Sequence, residues 1–349
     1  MDEVARLGPR NRADLFNEAA REKRIFRAEV IEKDFWVCFA LRAIFTLPDP
    51  PAGLIFKGGT SLSKVWNAID RFSEDVDLSF DRAALGYGGE NDPTKAASKK
   101  KREQRLDDLR AACRKMIRED IAPTLVASFA KSLNSEPGDK TWDLTNDSSD
   151  PDGQTLLFRY PTGLRRTADL SYVPPVVRLE MGARGEQWPA EHATIRPYAA
   201  EALPSLGLWV KPECAVFVLS AERTFWEKAT LLHKWYHCPP TKPLPDKQSR
   251  HYYDVVKLFR LGVGPRAIAD GELLRKVAEH QRVFFHTSWA NFEQAVPGTL
   301  RLVPPESRRN ELARDYEDMR RDMIYGEAPS FDEIIGVLEE IERLVNEAG

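Results

Sequence analysis

The chain is 349 residues long, 42% hydrophobic and 30% charged, with a formal net charge of −3, which allows a full core and two parts rather than one. The acidic balance excludes a protein coated in basic surface, so any nucleic acid has to be met by a local patch. No apolar run approaches a membrane span and the start MDEVARLGPRNRADLFNEAAREKR is too charged for a signal peptide, so a cytoplasmic protein with no membrane partner is expected. Cys38, Cys113, Cys214 and Cys238 lack Cys-x-x-Cys spacing and read as reduced, mostly buried thiols. From Asn11 to about Phe45 two helices are expected. The second carries Val30, Ile31, Phe35, Val37, Phe39, Leu41 and Ile44, with Glu32, Lys33 and Asp34 on its polar side. Pro48, Pro50 and Pro51 end it.

The next stretch, Gly53 to Phe80, reads GLIFKGGTSLSKVWNAIDRFSEDVDLSF. Leu54, Ile55 and Phe56, ending in Lys57, predict a buried strand that stops at Gly58 and Gly59; Thr60 and Ser61 stand where a helix N-cap is wanted, before Leu62, Val65, Trp66 and Ile69. A helix opening on two glycines offers free backbone N–H groups and no side-chain bulk, which suits a phosphate. Asp75 and Asp77 then alternate with Val76 and Leu78 on a second strand and share one face. Two such charges about 4 Å apart repel by roughly 4 kcal/mol at an effective dielectric near 20, so the pair calls for a cation. Mg2+, or Mn2+ in its place, is the natural partner because it takes carboxylate and phosphate oxygens together. Neither half is specific alone: Asp150-Pro151-Asp152, inside NDSSDPDG, reads as a turn.

After Phe80 a Gly-rich polar stretch ends in the basic run Lys99, Lys100, Lys101, Arg102 and Arg105, which opens a helical pattern to about Leu133. The run is a solvated helix start or an RNA backbone contact. Thr155 to Tyr160, Pro175 to Met181 and Ala193 to Tyr198 predict strands, with an antiparallel extension as the simplest fit. On the second of these, Arg178 and Glu180 share one face. Glu180 is thus available as a third carboxylate, or is a surface acid paired with Arg178 or Arg184. A strand from Ala215 to Leu219 hands over at Ser220, an N-cap, to the helix AERTFWEKATLLHKWYH. His233, His237, Cys238 and His251 lack the spacing of a zinc site and read as structural or surface residues. After a Pro-rich loop come RHYYDVVKLFRLG and helices at Leu273 to Phe285, Arg308 to Ile324 and Phe331 to Asn346. Asp254 in the first of these stands where an acid pairs with Arg250.

This order of elements resembles the nucleotidyltransferase superfamily of the DNA polymerase beta type. The wording VIEKDFWVCFALRAIF, FKGGTSLSK, RFSEDVDLSF and RDYEDMRRDMIYGEAPSFDEII resembles, within it, the AbiEii/AbiGii toxin family, from about residue 29 to 346. The resemblance implies an α+β fold, with a polymerase-beta-like core on a mixed sheet over residues 1–212 and a mainly helical domain over 213–349. It implies that Asp75, Asp77 and a third acid, carried to Glu180, hold the metal. Lys57, Gly58, Gly59, Thr60 and Ser61 would seat the nucleotide phosphates, with Arg223 a lesser candidate. Lys228 matches the family's helical lysine, a point charge for triphosphate oxygens, and Asp254 matches the acid of its R-x-x-x-D motif, there to orient Lys228 or the acceptor hydroxyl.

Three acids, two metal ions, a phosphate seat and a lysine suit attack of an acceptor hydroxyl on the alpha phosphate of a nucleoside triphosphate. The resemblance suggests an RNA acceptor, with the tRNA 3' end leading, and the toxin of a toxin–antitoxin or phage-defence pair, restrained by a cognate antitoxin protein. The alternatives are a protein or small-molecule acceptor, and a non-catalytic nucleotide- or RNA-binding module.

Overall fold

The computed structural model describes residues 1–25, 27–48, 53–73, 75–138, 141–164 and 174–347; Pro50, Pro51 and Glu74 of the sequence reading lie outside them. The chain groups into two compact units, Met1–Val65 with Ser73–Val218, and Trp66–Phe72 with Leu219–Gly349. The sequence reading drew its boundary after residue 212 and left Trp66–Phe72 in the first part.

The first unit runs α1 (Asp2–Ala5), α2 (Pro9–Lys23), α3 (Ala28–Phe45), β1 (Ile55–Lys57), α4 (Gly58–Lys64), β2 (Asp75–Ser79), α5 (Lys99–Met116), α6 (Ala122–Leu133), β3 (Asp143–Asn146), β4 (Thr155–Arg159), β5 (Val176–Gly182), β6 (Ala190–Ile195), α7 (Tyr198–Ala202) and β7 (Cys214–Leu219). The strands form one mixed sheet in the order β3-β4-β5-β2-β1-β7-β6. Of the expected antiparallel extension, β4 and β5 pair as anticipated and β3, not foreseen, adds to them, but the third expected strand, β6, lies at the opposite edge beside β7, and β5 continues the sheet by running parallel to β2. Tyr198, expected in a strand, opens α7 instead. The core against the sheet is aromatic: Phe129 and Phe158 lie 4.5 Å apart and Trp36 stacks on Tyr160 at 5.6 Å, contacts worth about 1 kcal/mol each beyond area burial.

The chemistry expected of α3 needs one correction. Glu32, Lys33 and Asp34 are all buried rather than on a polar face. The polar face is lost because the fold supplies partners: Glu32 accepts from Thr162 Oγ1 at 2.7 Å and Gly163 N at 2.9 Å, and Asp34 accepts from Tyr198 N at 2.6 Å and pairs with Lys64 at 2.7 Å. Buried charges survive only when paired and hydrogen-bonded in this way. Lys64 closes α4, also donates to Arg196 O at 2.7 Å and sits over the Tyr198 ring. The helix that opens on Gly58 is therefore fixed from behind. At the start of α5, Lys99, Lys100 and Lys101 are exposed, and Ser98 caps the helix through Lys101 N.

The second unit is helical: α8 (Ala221–Tyr236), α9 (Ser249–Arg260), α10 (Val263–Ala269), α11 (Gly271–Phe284), α12 (Glu306–Asp322) and α13 (Phe331–Glu347). Three of its starts carry side-chain caps, the first of them at the expected Ser220. Ser220 Oγ accepts from Arg223 N at 3.1 Å, Asp270 caps α11, and Ser330 and Glu333 exchange bonds in a capping box. Within this unit the stretch Trp66–Phe72 is stitched to the loop after α12. Arg71 bridges Ile324, Phe72 N donates to Met323 O at 2.8 Å, and Tyr325 N donates to Asp70 O at 3.0 Å. His233 is spent on structure, Nε2 on Asn291 O and Nδ1 on Arg301 N, both at 3.0 Å. No helix among the described residues is long and apolar enough to cross a membrane.

Candidate active site

β1 ends at Lys57, which serves as N-cap, and α4 begins at Gly58. Gly58 has φ +76°, and a Cβ there would lie 1.9 Å from Asp77 Oδ2, so only glycine fits both the backbone and the neighbour. The Asp77 carboxylate thus rests directly on the first residue of the helix. Register explains the approach: β1 and β2 are antiparallel with Lys57 opposite Asp77. Thr60 and Ser61 do not cap the helix as expected but lie within it, both buried. The cap falls at Lys57, three residues before Thr60, and the glycines are already helical. Their hydroxyls have structural work: Thr60 Oγ1 donates to Asp75 O, tying α4 to β2, and Ser61 Oγ donates to Gly58 O at 2.8 Å.

On β2 Val76, Leu78 and Ser79 are buried, and Asp75 and Asp77 share the face opposite Val76 and Leu78. Parallel pairing places Arg178 opposite Asp75 and Glu180 opposite Asp77, and β5 alternates so that Val177, Leu179 and Met181 are buried. Three carboxylates and one guanidinium therefore share a sheet face. Arg178 reaches Asp75 Oδ1 at 3.4 Å, Glu180 Oε1 at 3.3 Å and Asp147 Oδ2 at 2.6 Å. Arg184, the other partner considered for Glu180, goes to Asp152 at 2.8 Å. Burial and then the charges of Asp77 and Asp75 push the Glu180 carboxyl up to about 7, against the pull of Arg178. Negative charge on this face exceeds what Arg178 neutralises. Among the described residues no set of three His, Cys, Asp or Glu side chains is gathered for a metal ion. The donors are all carboxylate oxygens, the chemistry of a hard divalent cation rather than of zinc, so Asp75 and Asp77 fit Mg2+ or Mn2+ by type, with Glu180 drawn toward Arg178.

The second unit contains Lys228, Asp254 and Arg223. Asp254 on α9 has no exposed surface and does not pair with Arg250 as its spacing suggested. Instead its Oδ1 and Oδ2 accept from Arg71 Nε and Nη2, each at 2.7 Å, and Oδ2 also meets Lys228 Nζ at 2.8 Å. Burial works against the Asp254 charge, but Arg71 and Lys228 outweigh it and hold the carboxyl well below its usual range. For Lys228 the balance falls the other way. Burial lowers its pKa, Asp254 restores only part, and Arg71 lowers it further. The carboxylate is shared, so the bidentate arginine takes the larger portion. Arg223, also buried, lies along its helix with Nε 3.2 Å from Glu227 Oε1.

Arg71 and Asp147 were not singled out by sequence reasoning. Arg71 stands within RFSEDVDLSF, but its partner lies 183 residues on, and no spacing rule links them. Asp147 is in the polar run read as a turn, which it is: its Oδ1 accepts from Ser149 N at 2.9 Å and Ser149 Oγ at 2.6 Å.

Residues 40–337 match the family model described as nucleotidyl transferase AbiEii toxin, type IV TA system. Among solved structures, the chain is similar to MenT4, a nucleotidyltransferase toxin from Mycobacterium tuberculosis H37Rv, at 15% identity and a TM-score of 0.41, covering 95% of this chain and 97% of that one. It is likewise similar to JHP933 from Helicobacter pylori at 12% identity and a TM-score of 0.41, covering 91% and 92%. No curated protein matches the chain.

Proposed function

Since this chain belongs to the AbiEii family of nucleotidyl transferase toxins of type IV toxin–antitoxin systems, we propose that it transfers a nucleoside monophosphate from a nucleoside triphosphate to a hydroxyl of RNA, the tRNA 3' end first among acceptors. The class carries with it a nucleotide substrate and an antitoxin partner. The observation that supports the chemistry best is the Asp77 carboxylate packed on Gly58, which brings an acid to the anion-favouring first turn of α4.

In this reading Asp75 and Asp77 are the metal ligands, with Glu180 as a third acid once it leaves Arg178. A bound Mg2+ or Mn2+ supplies a lowered pKa for the acceptor hydroxyl and neutralises charge on the leaving pyrophosphate. Lys57 and the backbone of Gly58 and Gly59 receive phosphate oxygens. Thr60 and Ser61 contribute backbone there, their hydroxyls being engaged within the fold. Lys228 supplies an ammonium for phosphate oxygens, oriented by Asp254, and Arg223 is a lesser phosphate group. An RNA extended at its 3' end no longer presents the hydroxyl that is aminoacylated, so translation stops. Phage defence would follow from growth arrest.

The test is incubation of purified protein with each of the four alpha-labelled triphosphates, Mg2+ and total tRNA, beside D77A. Label in RNA with wild type and none with D77A is the expected result and names the nucleotide. Transfer that survives D77A overturns the metal assignment. Label on protein or a small molecule, with none on RNA, overturns the RNA acceptor while keeping the chemistry.

A further inference from the structure

We infer that Arg178 is the chain's own counter-ion for the acidic face, and that it competes with the divalent cation for Asp75 and Glu180 while Asp147 holds it in reserve. The inference rests on the metal-dependent reading above and goes beyond it by assigning a residue that sets how tightly the metal is held.

The distances carry the argument. Arg178 makes its shortest bond to Asp147, 2.6 Å from Nη1, and longer ones to the proposed ligands, 3.4 Å to Asp75 and 3.3 Å to Glu180. The hold is firm at the anchor and loose at the site. A guanidinium carries five N–H groups in a fixed fork, so it can give up Nε and Nη2 contacts and still keep a charged partner. Asp147 is built for that part. Its side chain is 6% exposed, against 38% for Arg178, and Ser149 N and Oγ occupy its Oδ1. Its own N donates to Thr155 O at 3.0 Å. Asp150, in the same turn, accepts from Asp152 N, Gln154 N and Thr155 Oγ1. The acidic turn NDSSDPDG thus holds arginines, Arg178 at Asp147 and Arg184 at Asp152, rather than forming a second ligand pair. Two cations cannot both sit against Asp75 and Glu180 without repulsion, so a divalent ion gains the carboxylates only as Arg178 withdraws along its contact with Asp147.

The two ends of the contact therefore move metal affinity in opposite directions. R178Q removes the competitor and tightens Mn2+ by about three- to tenfold, the range of a few partly exposed ion pairs. D147N loosens the anchor, leaves more of the arginine's charge to the site acids, and weakens Mn2+. R178K keeps the charge but not the fork that spans Asp147 and the site acids, and falls between wild type and R178Q. Mn2+ binding to the full chain, measured by calorimetry and by the loss of the free-ion electron paramagnetic resonance signal, reads this without turnover, and circular dichroism checks each fold. Tighter binding by R178Q with weaker binding by D147N supports the inference. Unchanged or weaker binding by a folded R178Q overturns it while wild-type binding that D77A abolishes keeps the metal reading. If R178Q fails to fold, D147N that binds as tightly as wild type overturns it. Binding by neither wild type nor any variant overturns both.

Discussion

Asp254 shows how much one carboxylate can be asked to do. It is wholly buried and shared by Arg71 and Lys228, so D254N leaves two cations inside the second unit with no counter-charge. The expected cost is about 3–5 kcal/mol, read from urea denaturation; a loss below about 1 kcal/mol contradicts the arrangement. The pH dependence has a definite sign. The folded carboxyl titrates well below its usual range, so the folded state releases this proton more readily than the unfolded chain, whose value is near 4. Its contribution is present above about pH 4 and is lost progressively as pH falls toward the folded value. Melting temperature against pH should fall more steeply on the acid side for wild type than for D254N, and parallel curves would exclude this origin. The sequence marked Asp254 as the odd polar residue on an apolar helix, yet named the wrong local partner, because i, i+4 spacing is visible in a sequence and a contact across 183 residues is not.

At the scale of elements, the turn from β1 into α4 sets the position of the Asp77 carboxylate. G58A places a Cβ where Asp77 Oδ2 stands and asks alanine for φ +76°, a left-handed conformation that costs roughly 1–2 kcal/mol. The fold should survive with a melting temperature a few degrees lower, while nucleotide transfer falls as far as in D77A; a G58A protein with near wild-type transfer would show that the contact is dispensable. This motif was legible because everything that defines it is local: an apolar run, two glycines, and acids alternating on a short strand. The helix cap was misplaced by three residues because Thr60 and Ser61 look like caps until Asp75 O is seen to take the Thr60 hydroxyl. Buried Glu32, Lys33 and Asp34 escaped for the opposite reason. Periodicity reads charge as a solvent face, whereas Glu32 and Asp34 are buried against Lys64, Thr162, Gly163 and Tyr198, scattered along the chain. The parallel register of β2 and β5 was also out of reach, since alternation fixes which residues share a face but not which strand lies alongside.

For the molecule as a whole, cysteine chemistry offers a simple measure of integrity. All four thiols are buried. Burial pushes Cys113 and Cys214 up to about 12 and Cys38 well above its ordinary value. An aromatic disulfide reagent at pH 8 should find no fast-reacting thiol in the native protein and four after denaturation, whereas rapid native labelling would contradict the packing. Four free cysteines were readable from their spacing and the mixed sheet with many helices from the family resemblance, but the path of the chain was not. The backbone leaves the first unit after Val65, spends Trp66–Phe72 in the second, returns at Ser73 and departs again after Val218. The helical unit therefore cannot be removed or exchanged as a cassette at one cut. A fragment ending at Val218 carries Arg71 away from Asp254, a fragment beginning at Leu219 lacks it, and any recombination that respects both units has to replace seven residues lying between α4 and the aspartates of β2. Inheritance of the two units is thus tied at the motif itself, and a change in either is a change the same short segment must accommodate.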